Sequence, residues 1–474
     1  MSFLLPFLVY LSIILIIALS VHRKSQTEAD FVIGNRSLNF WVTALSAHAA
    51  DMSAWLFMAL PMLIFTGGMP NAWVALGLIG GMWLNWQFIA PKLRTETERL
   101  NAFTLSTYLE RRYHDETGTL RLITSVISLF FLTWYLSAGL IAMGNLFEHV
   151  FGIPYLIGIL ITLGVVVLYT YVGGFVTVCW LDLFQGIFLL AMILFVPILA
   201  FIKIGGFTAV IDNASKSAIP LSLMEDFSYG SFFAIVSSAL GWGLGYFGQP
   251  HILSKFMGIK TPSDLVKSKY LGMSWQILAL SGSVFVGLIA IGFFNEGVVN
   301  PELIYVVMVK ELFTPFFAGI VLCGMVAANI STMDSQLLVA SSVISEDIYK
   351  KLFSHRASSK QLLIVSRLGV LVLAFIALLI AIQNGASVSR YVKYAWTGLG
   401  ASYGPLILLG LYSRSVNWNG AIAGLIVGGF IAATWDWINP YLMDIEVAAL
   451  VPAFGLSVLT IWGVSRLFPV HKAS

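Results

Sequence analysis

A carboxylate stands in the middle of an apolar run, Ala47-His48-Ala49-Ala50-Asp51-Met52-Ser53-Ala54-Trp55. Within a bilayer an ionised aspartate costs at least about 2.5 kcal/mol unless something compensates it. Two compensators are open: Asp51 lies beside a cation or the ammonium group of a bound molecule, or it caps a helix that breaks at that point. A second run, Ala328-Asn329-Ile330-Ser331-Thr332-Met333-Asp334-Ser335, puts Ala328, Ser331, Thr332 and Ser335 on one side of a helix. Hydroxyls in a row, and backbone carbonyls released where a helix unwinds, are oxygen donors of the kind a hard cation such as sodium takes. The same hydroxyls can bond back to their own helix or to a neighbouring one, and spacing alone does not separate the two readings.

The third run, Gly241-Trp242-Gly243-Leu244-Gly245-Tyr246-Phe247-Gly248-Gln249-Pro250, contains a Gly-x-Gly-x-x-Gly pattern. A dinucleotide fingerprint needs a strand before it and a helix after it. Here the glycines sit inside an apolar segment, so they read as a weakened helix in which Pro250 also removes a donor. Trp242 and Tyr246 share a helix face and form either an aromatic wall for a small ring or ordinary packing. Asp182, with Gln185 one turn on, and Asp334 admit a second cation pocket; alternatively Asp182 pairs with a basic loop residue. No Gly-Lys-Ser/Thr phosphate loop or His-Glu-x-x-His motif occurs, so neither an enzyme nor an ATP-driven pump is expected. His48 and His251 lack metal-ligand partner spacing, and no nucleic-acid footprint appears.

The elements that carry these residues follow from hydropathy. With 58% hydrophobic and 10% charged residues, the composition excludes a soluble fold, which runs near a quarter charged. About thirteen stretches are apolar enough to cross a bilayer as helices: 3–21, 38–66, 72–89, 122–150, 155–172, 176–204, 231–257, 271–294, 316–345, 362–382, 391–412, 421–437 and 447–467. Basic residues concentrate in alternate connections: Arg23, Lys24 and Arg36; Lys92 to Arg121; Lys255 to Lys269; Lys350 to Arg367; Arg414; Arg466 and Lys472. The opposite set holds only Lys203, Lys216, Lys310, Arg390 and Lys393. This bias predicts an outside N-terminus and an inside C-terminus. Connections are too short for a soluble domain. The interrupted segments around Asp51 and around Gly245 are five helices apart, an odd number, which is the arrangement of an inverted repeat. The expected organisation is one integral membrane domain. It has an N-terminal helix and loop (1–37), a first repeat (38–204), an outer loop with the second repeat (205–412) and two C-terminal helices (413–474).

Three segments carry a resemblance: Thr43 to Pro61 (TALSAHAADMSAWLFMALP), Leu240 to Leu253 (LGWGLGYFGQPHIL) and Ser331 to Tyr349 (STMDSQLLVASSVISEDIY). They resemble the sodium:solute symporters, and among them the bacterial importers of proline, over nearly the whole chain. The resemblance implies an all-α polytopic protein with a five-plus-five inverted-repeat core of the amino acid/sodium symporter type. It implies sodium-driven import of L-proline by alternating access across the bacterial cytoplasmic membrane, with sodium, L-proline and the lipid bilayer as partners and no obligatory protein partner. By position it puts sodium on backbone carbonyls of Ala49, Met52 and Ala328 and the hydroxyls of Ser331 and Thr332, with Asp51 and Ser53 supporting binding and coupling. The proline pocket falls on Trp55, Tyr135, Trp242, Tyr246 and Pro250, with Gly398 to Pro405 closing one side. Asp334 is a departure from the best-known relative, which has an uncharged hydroxyl residue there, and it bears on the number of ions carried. Sialic acid carriers of this family imply an additional sodium at Asp182, Asp334 and Ser335. Rival readings are a symporter of the same fold for pantothenate, a short carboxylate or sialic acid, and a passive channel. A transporter-derived sensor is also possible, although such sensors continue into a signalling module and this chain stops at Ser474.

Overall fold

The computed structural model describes residues 4–21, 27–224, 226–295, 297–354, 356–383, 387–442 and 446–469. Arg23, Lys24 and Lys472, used in the orientation argument, lie outside them. In chain order the principal helices begin with α1 (Leu4–Val21), α2 (Phe40–Met52), α3 (Ala59–Gly67), α4 (Ala72–Leu84) and α5 (Thr119–Phe151). They continue with α6 (Tyr155–Lys203), α7 (Tyr229–Gly243), α8 (Pro250–Met257), α9 (Leu265–Phe293) and α10 (Pro315–Ser342). The last are α11 (Ser359–Ala381), α12 (Val388–Tyr412), α13 (Trp418–Leu442) and α14 (Leu450–Leu467).

Among the described residues nine helices are long and apolar enough to cross a membrane, and ten if the bent pair at α2 and α3 is one span. The other three expected stretches are also helical. α1 and Tyr155–Leu168 of α6 are apolar but shorter, and α12 carries Arg390 and Lys393 in its first turns. Length and hydropathy alone therefore do not reproduce the count of about thirteen. α6 is really two helices, because Gly174 turns the chain at φ 66°, ψ −170°, where glycine bears no steric penalty. The sole β feature among the described residues is a bridge between Leu38 and Ile259. Through it the N–H of Leu38 donates to Gly258 O at 3.1 Å, and Lys260 N–H to Leu38 O at 2.8 Å, which ties the start of α2 to the end of α8.

Both expected interruptions are present. α2 stops because Ser53 adopts φ 48°, ψ −172°, a conformation that side-chain-bearing residues rarely take and that costs on the order of 1–3 kcal/mol. The segments on either side meet at 68°. α7 tightens into a 3-10 turn over Leu244–Gly248, and α8 restarts at Pro250, whose missing N–H is harmless in the first turn of a helix.

Close helix contact supports the second break from behind. A Cβ on Gly81 of α4 would lie 2.1 Å from Gly243 O, and one on Gly77 would lie 2.2 Å from Ala239 O. The spacing is the small-xxx-small device by which helices approach within a membrane.

The basic connections gather at one end. Arg36 Nη1 donates to Met257 O (2.7 Å), Arg94 Nε to Ile259 O (2.8 Å) and Arg112 Nε to Gly410 O (2.6 Å). Arg121 is buried against Asp347 (2.8 Å), Glu110 (3.1 Å) and Glu346 (3.4 Å). The sparse set meets separately: Lys203 donates to Glu311 O and Lys310 to His149 O, both at 3.1 Å. Lys255 departs from its expected place in a loop, since α8 buries it to 1% exposure.

Gly81→Val inserts a branched side chain where backbone already touches backbone, and the cost expected from overpacking is about 1–3 kcal/mol. Thermal unfolding of the purified protein in detergent should show the loss. Gly80→Val, with nothing within 4 Å of its added Cβ, should not.

Candidate functional site

An unwound helix in a membrane must pair its freed carbonyls internally, and the second break does so with side chains. Trp396 Nε1 of α12 donates to Trp242 O (3.0 Å), Gln249 Nε2 donates to Gly245 O and Trp396 O (both 3.1 Å), and Asn85 Nδ2 donates to Tyr246 O (3.1 Å). Gly245 leaves room for the indole, since a Cβ there would lie 2.0 Å from Trp396 Nε1. The helical arm beyond the break is thus bolted to α12, and its aromatic residues are held toward α2.

Those aromatic residues, Trp242 and Tyr246, line a small cavity together with Asp51, Met52, Trp55, Leu78, Tyr135, Val392 and Trp396. The rings of Trp55 and Trp242 lie 4.8 Å apart, and Tyr246 stands edge-on to Trp396 at 5.0 Å. Polar groups sit on one side. The hydroxyl of Tyr246 donates to Asp51 Oδ2 at 2.5 Å and accepts from Gln276 Nε2 at 2.9 Å. The indole N–H of Trp55 is buried without a protein partner. The cavity therefore presents flat apolar walls, one carboxylate and one unused donor, a combination suited to a small zwitterion with an apolar body.

Beside it the first break meets α10. Ser331 Oγ donates to Ala49 O (2.9 Å) and Ala328 O (3.0 Å), Thr332 Oγ1 donates to Ala328 O (3.1 Å), and the N–H of Ser53 donates to Thr332 Oγ1 (2.9 Å). The hydroxyl of Ser53 in turn accepts from the N–H of Trp55 at 3.1 Å. Four of the five oxygens expected around sodium, those of Ala49, Ala328, Ser331 and Thr332, thus converge. The fifth, the carbonyl of Met52, belongs to the last residue of α2, where no further helical turn takes it up. Neutral carbonyls and hydroxyls are ligands for a monovalent hard cation, and no group of three His, Cys, Asp or Glu suited to a transition metal exists among the described residues.

Other expected residues fall elsewhere. Pro250 does not line the aromatic cavity; it faces a separate one with Thr104, Ser106, Ser254 and Tyr403. Gly398 to Pro405 backs the second break, with a Cβ on Gly248 falling 2.5 Å from Leu399 O, while Val392 and Trp396 of the same helix do the lining. Asp51 turns its carboxylate to Tyr246 rather than to the oxygens of Ala49 and Ser331. At Asp182 the ammonium of Lys255 is already in place, 3.0 Å from Asp182 Oδ2 and 2.8 Å from Ser335 Oγ, so the pairing with a basic residue is the one observed. Trp396, Gln276, Asn85 and Lys255 were not picked out from sequence. A tryptophan beside the Gly398–Pro405 run was a usable signal for the first; polar side chains inside apolar stretches were the signal for the others.

A sequence model described as the sodium:solute symporter family matches residues 31–428, and the chain belongs to that family. The high-affinity proline transporter PutP of Bacillus subtilis is 39% identical over 96% of this chain and 95% of its own length. The sodium/proline symporter of Escherichia coli is 37% identical over 99% and 95%. A solved structure of a Na+-coupled sialic acid symporter superposes with TM-score 0.82 over 100% of this chain and 99% of that one, at 18% identity. Mhp1, a nucleobase-cation-symport-1 family transporter, superposes with TM-score 0.60 over 95% and 97%, at 17% identity. These two structures share the all-α fold; the family and its full-length relatives are transporters rather than enzymes.

Thr332→Ala removes the acceptor for the Ser53 N–H, leaving it buried and unpaired at a strained turn, at a cost of about 1–3 kcal/mol. Unfolding in sodium-free buffer should reveal that loss, and Thr332→Ser, which keeps the hydroxyl, should recover most of it.

Proposed function

We propose that this protein is a sodium-coupled symporter that imports L-proline by alternating access across the bacterial cytoplasmic membrane. The observation that carries the reading is the junction at Met52–Ser53, where an aromatic cavity and a set of neutral oxygens on α2 and α10 share the same few residues. The full-length relatives, a high-affinity proline transporter and a sodium/proline symporter, supply the solute, and the cavity suits it. Its pyrrolidine ring packs against the wall that Trp55 and Trp242 form together, its ammonium faces Asp51 and Tyr246, and its carboxylate takes the unused N–H of Trp55.

Sodium sits on the carbonyls of Ala49, Met52 and Ala328 and the hydroxyls of Ser331 and Thr332. It ties the broken helix to α10 and favours the form open to the outside; with solute bound as well, closure follows, because each ligand selects the state it binds better. Sodium and the carboxylate of Asp51 balance in charge, so closure buries no uncompensated ion. The repeats 38–204 and 205–412 rock about this point. The N-terminus lies outside and the C-terminus inside, supported by the clustering of Arg36, Arg94, Arg112 and Arg121 at one end. One charge crossing about 100 mV supplies about 2.3 kcal/mol and a tenfold sodium gradient about 1.4 kcal/mol, enough for accumulation on the order of several hundredfold.

In proteoliposomes with an inward sodium gradient and a negative interior, labelled proline should accumulate above the external level. Accumulation of pantothenate or a short carboxylate in its place would overturn the choice of solute, and equilibration without accumulation would mean a channel. Ser331→Ala should raise the sodium concentration for half-maximal uptake about tenfold, the effect of losing roughly 1.4 kcal/mol of binding. Asp51→Asn should reduce uptake to near background.

A further inference from the structure

The ammonium of Lys255 is buried where no solvent reaches it, and its three N–H bonds meet three acceptors. These are Ser335 Oγ at 2.8 Å, Asp182 Oδ2 at 3.0 Å and Cys179 Sγ at 3.5 Å. Ser46 Oγ of α2 donates to the same Asp182 oxygen at 2.6 Å. Asp334 lies within electrostatic reach of the ammonium, and Asp182 Oδ1 is buried without a partner. The cluster therefore holds one carboxylate and two hydroxyls about a single tethered cation, with α2, α6, α8 and α10 each contributing.

Its position matters as much as its composition. Ser46 precedes Ala49 by one turn of α2, and Ser335 follows Ser331 by one turn of α10. The Lys255 cluster and the oxygen set of Ala49, Ser331 and Thr332 are thus successive layers of one seam between the same two helices. The layer at the break is built of neutral oxygens alone. The next layer contains a carboxylate and is already filled by a cation that the chain cannot release.

We propose that Lys255 is a resident cation in a monovalent-ion site. Its ammonium fills an oxygen cage that, without it, takes a sodium ion, and so holds the protein to one exchangeable sodium. This rests on the assignment of sodium to the Ala49, Ser331 and Thr332 layer. A charge tethered to α8 keeps α2, α6 and α10 joined whether or not sodium is bound, and it makes a second mobile ion redundant. Removing the ammonium while leaving Asp182 exposes a buried carboxylate that needs a cation, and Asp182 with Ser46 and Ser335 supplies oxygen ligands to hold one.

Equilibrium binding of radioactive sodium to the purified full-length protein counts the ions directly. The wild type should bind one sodium per chain at saturation, Lys255→Met should bind two, and Lys255→Met/Asp182→Asn should return to one. A wild type that binds two, or a Lys255→Met protein that binds one, overturns the proposal. Should Lys255→Met not fold, the wild type still tests it. Reversal potentials in proteoliposomes should give one charge moved per proline, and two would overturn the assignment. Ser331→Ala/Thr332→Ala separates this from the reading beneath it: if the double variant keeps its sodium, the placement of the exchangeable ion fails, while a gain of one ion in Lys255→Met still stands.

Discussion

A carbonyl with no helical partner cannot be left in hydrocarbon, and the architecture around the two breaks follows from that constraint. At the second break three side chains from three places in the chain, Trp396, Gln249 and Asn85, cover the carbonyls of Trp242, Gly245 and Tyr246. At the first, α10 offers Ser331 to Ala49 O and Thr332 to the N–H of Ser53. The groups that make the breaks tolerable also fix where the aromatic rings stand. Cavity and oxygen set are therefore products of one requirement, the pairing of interrupted backbone.

Thr332 joins the two halves of the site. Its oxygen accepts from the turn that starts at Ser53, and Ser53 accepts from Trp55, whose indole forms a cavity wall. A cation drawing on the Thr332 oxygen acts on that chain of bonds over only three residues. The strain at Ser53 suits such a role, since a rarely populated conformation persists only while its partners hold it.

Much of this was legible in the sequence because membrane physics leaves strong marks. An aspartate in an apolar run and glycines ahead of Pro250 each announced a break, and both breaks occur where expected; the hydroxyl row at helical spacing meets the first of them. Trp55, Tyr135, Trp242 and Tyr246 meet in one cavity. What spacing could not give was the partner of each group. Lys255 looked like a loop charge because hydropathy assigns a lysine near a basic cluster to water, whereas α8 carries it inward to Asp182, distant in sequence. Pro250 shares a short run with Trp242 and Tyr246, but the turn between Leu244 and Gly248 sends it to another cavity. Gln249, Gln276 and Asn85 were invisible for a related reason: an amide inside an apolar stretch declares that a partner exists without saying which.

The cavity that Pro250 lines is joined through Thr104 to a dense ionic cluster. Thr104 donates to Asp347 Oδ1 at 2.8 Å, and Asp347 shares Arg121 with Glu110 and Glu346, all of them buried. The three carboxylates come from two separate stretches of chain and the arginine from the start of α5. Glu110 and Glu346 also hold Lys351 (2.7 Å) and Lys350 (2.8 Å), so parting the cluster strands Arg121 and Asp347 above all, and a buried charge left without its partner is costly unless water reaches it. Any separation of the helices at this end therefore has to bring water in with it, and the hydration of Arg121 and Asp347 becomes part of its cost.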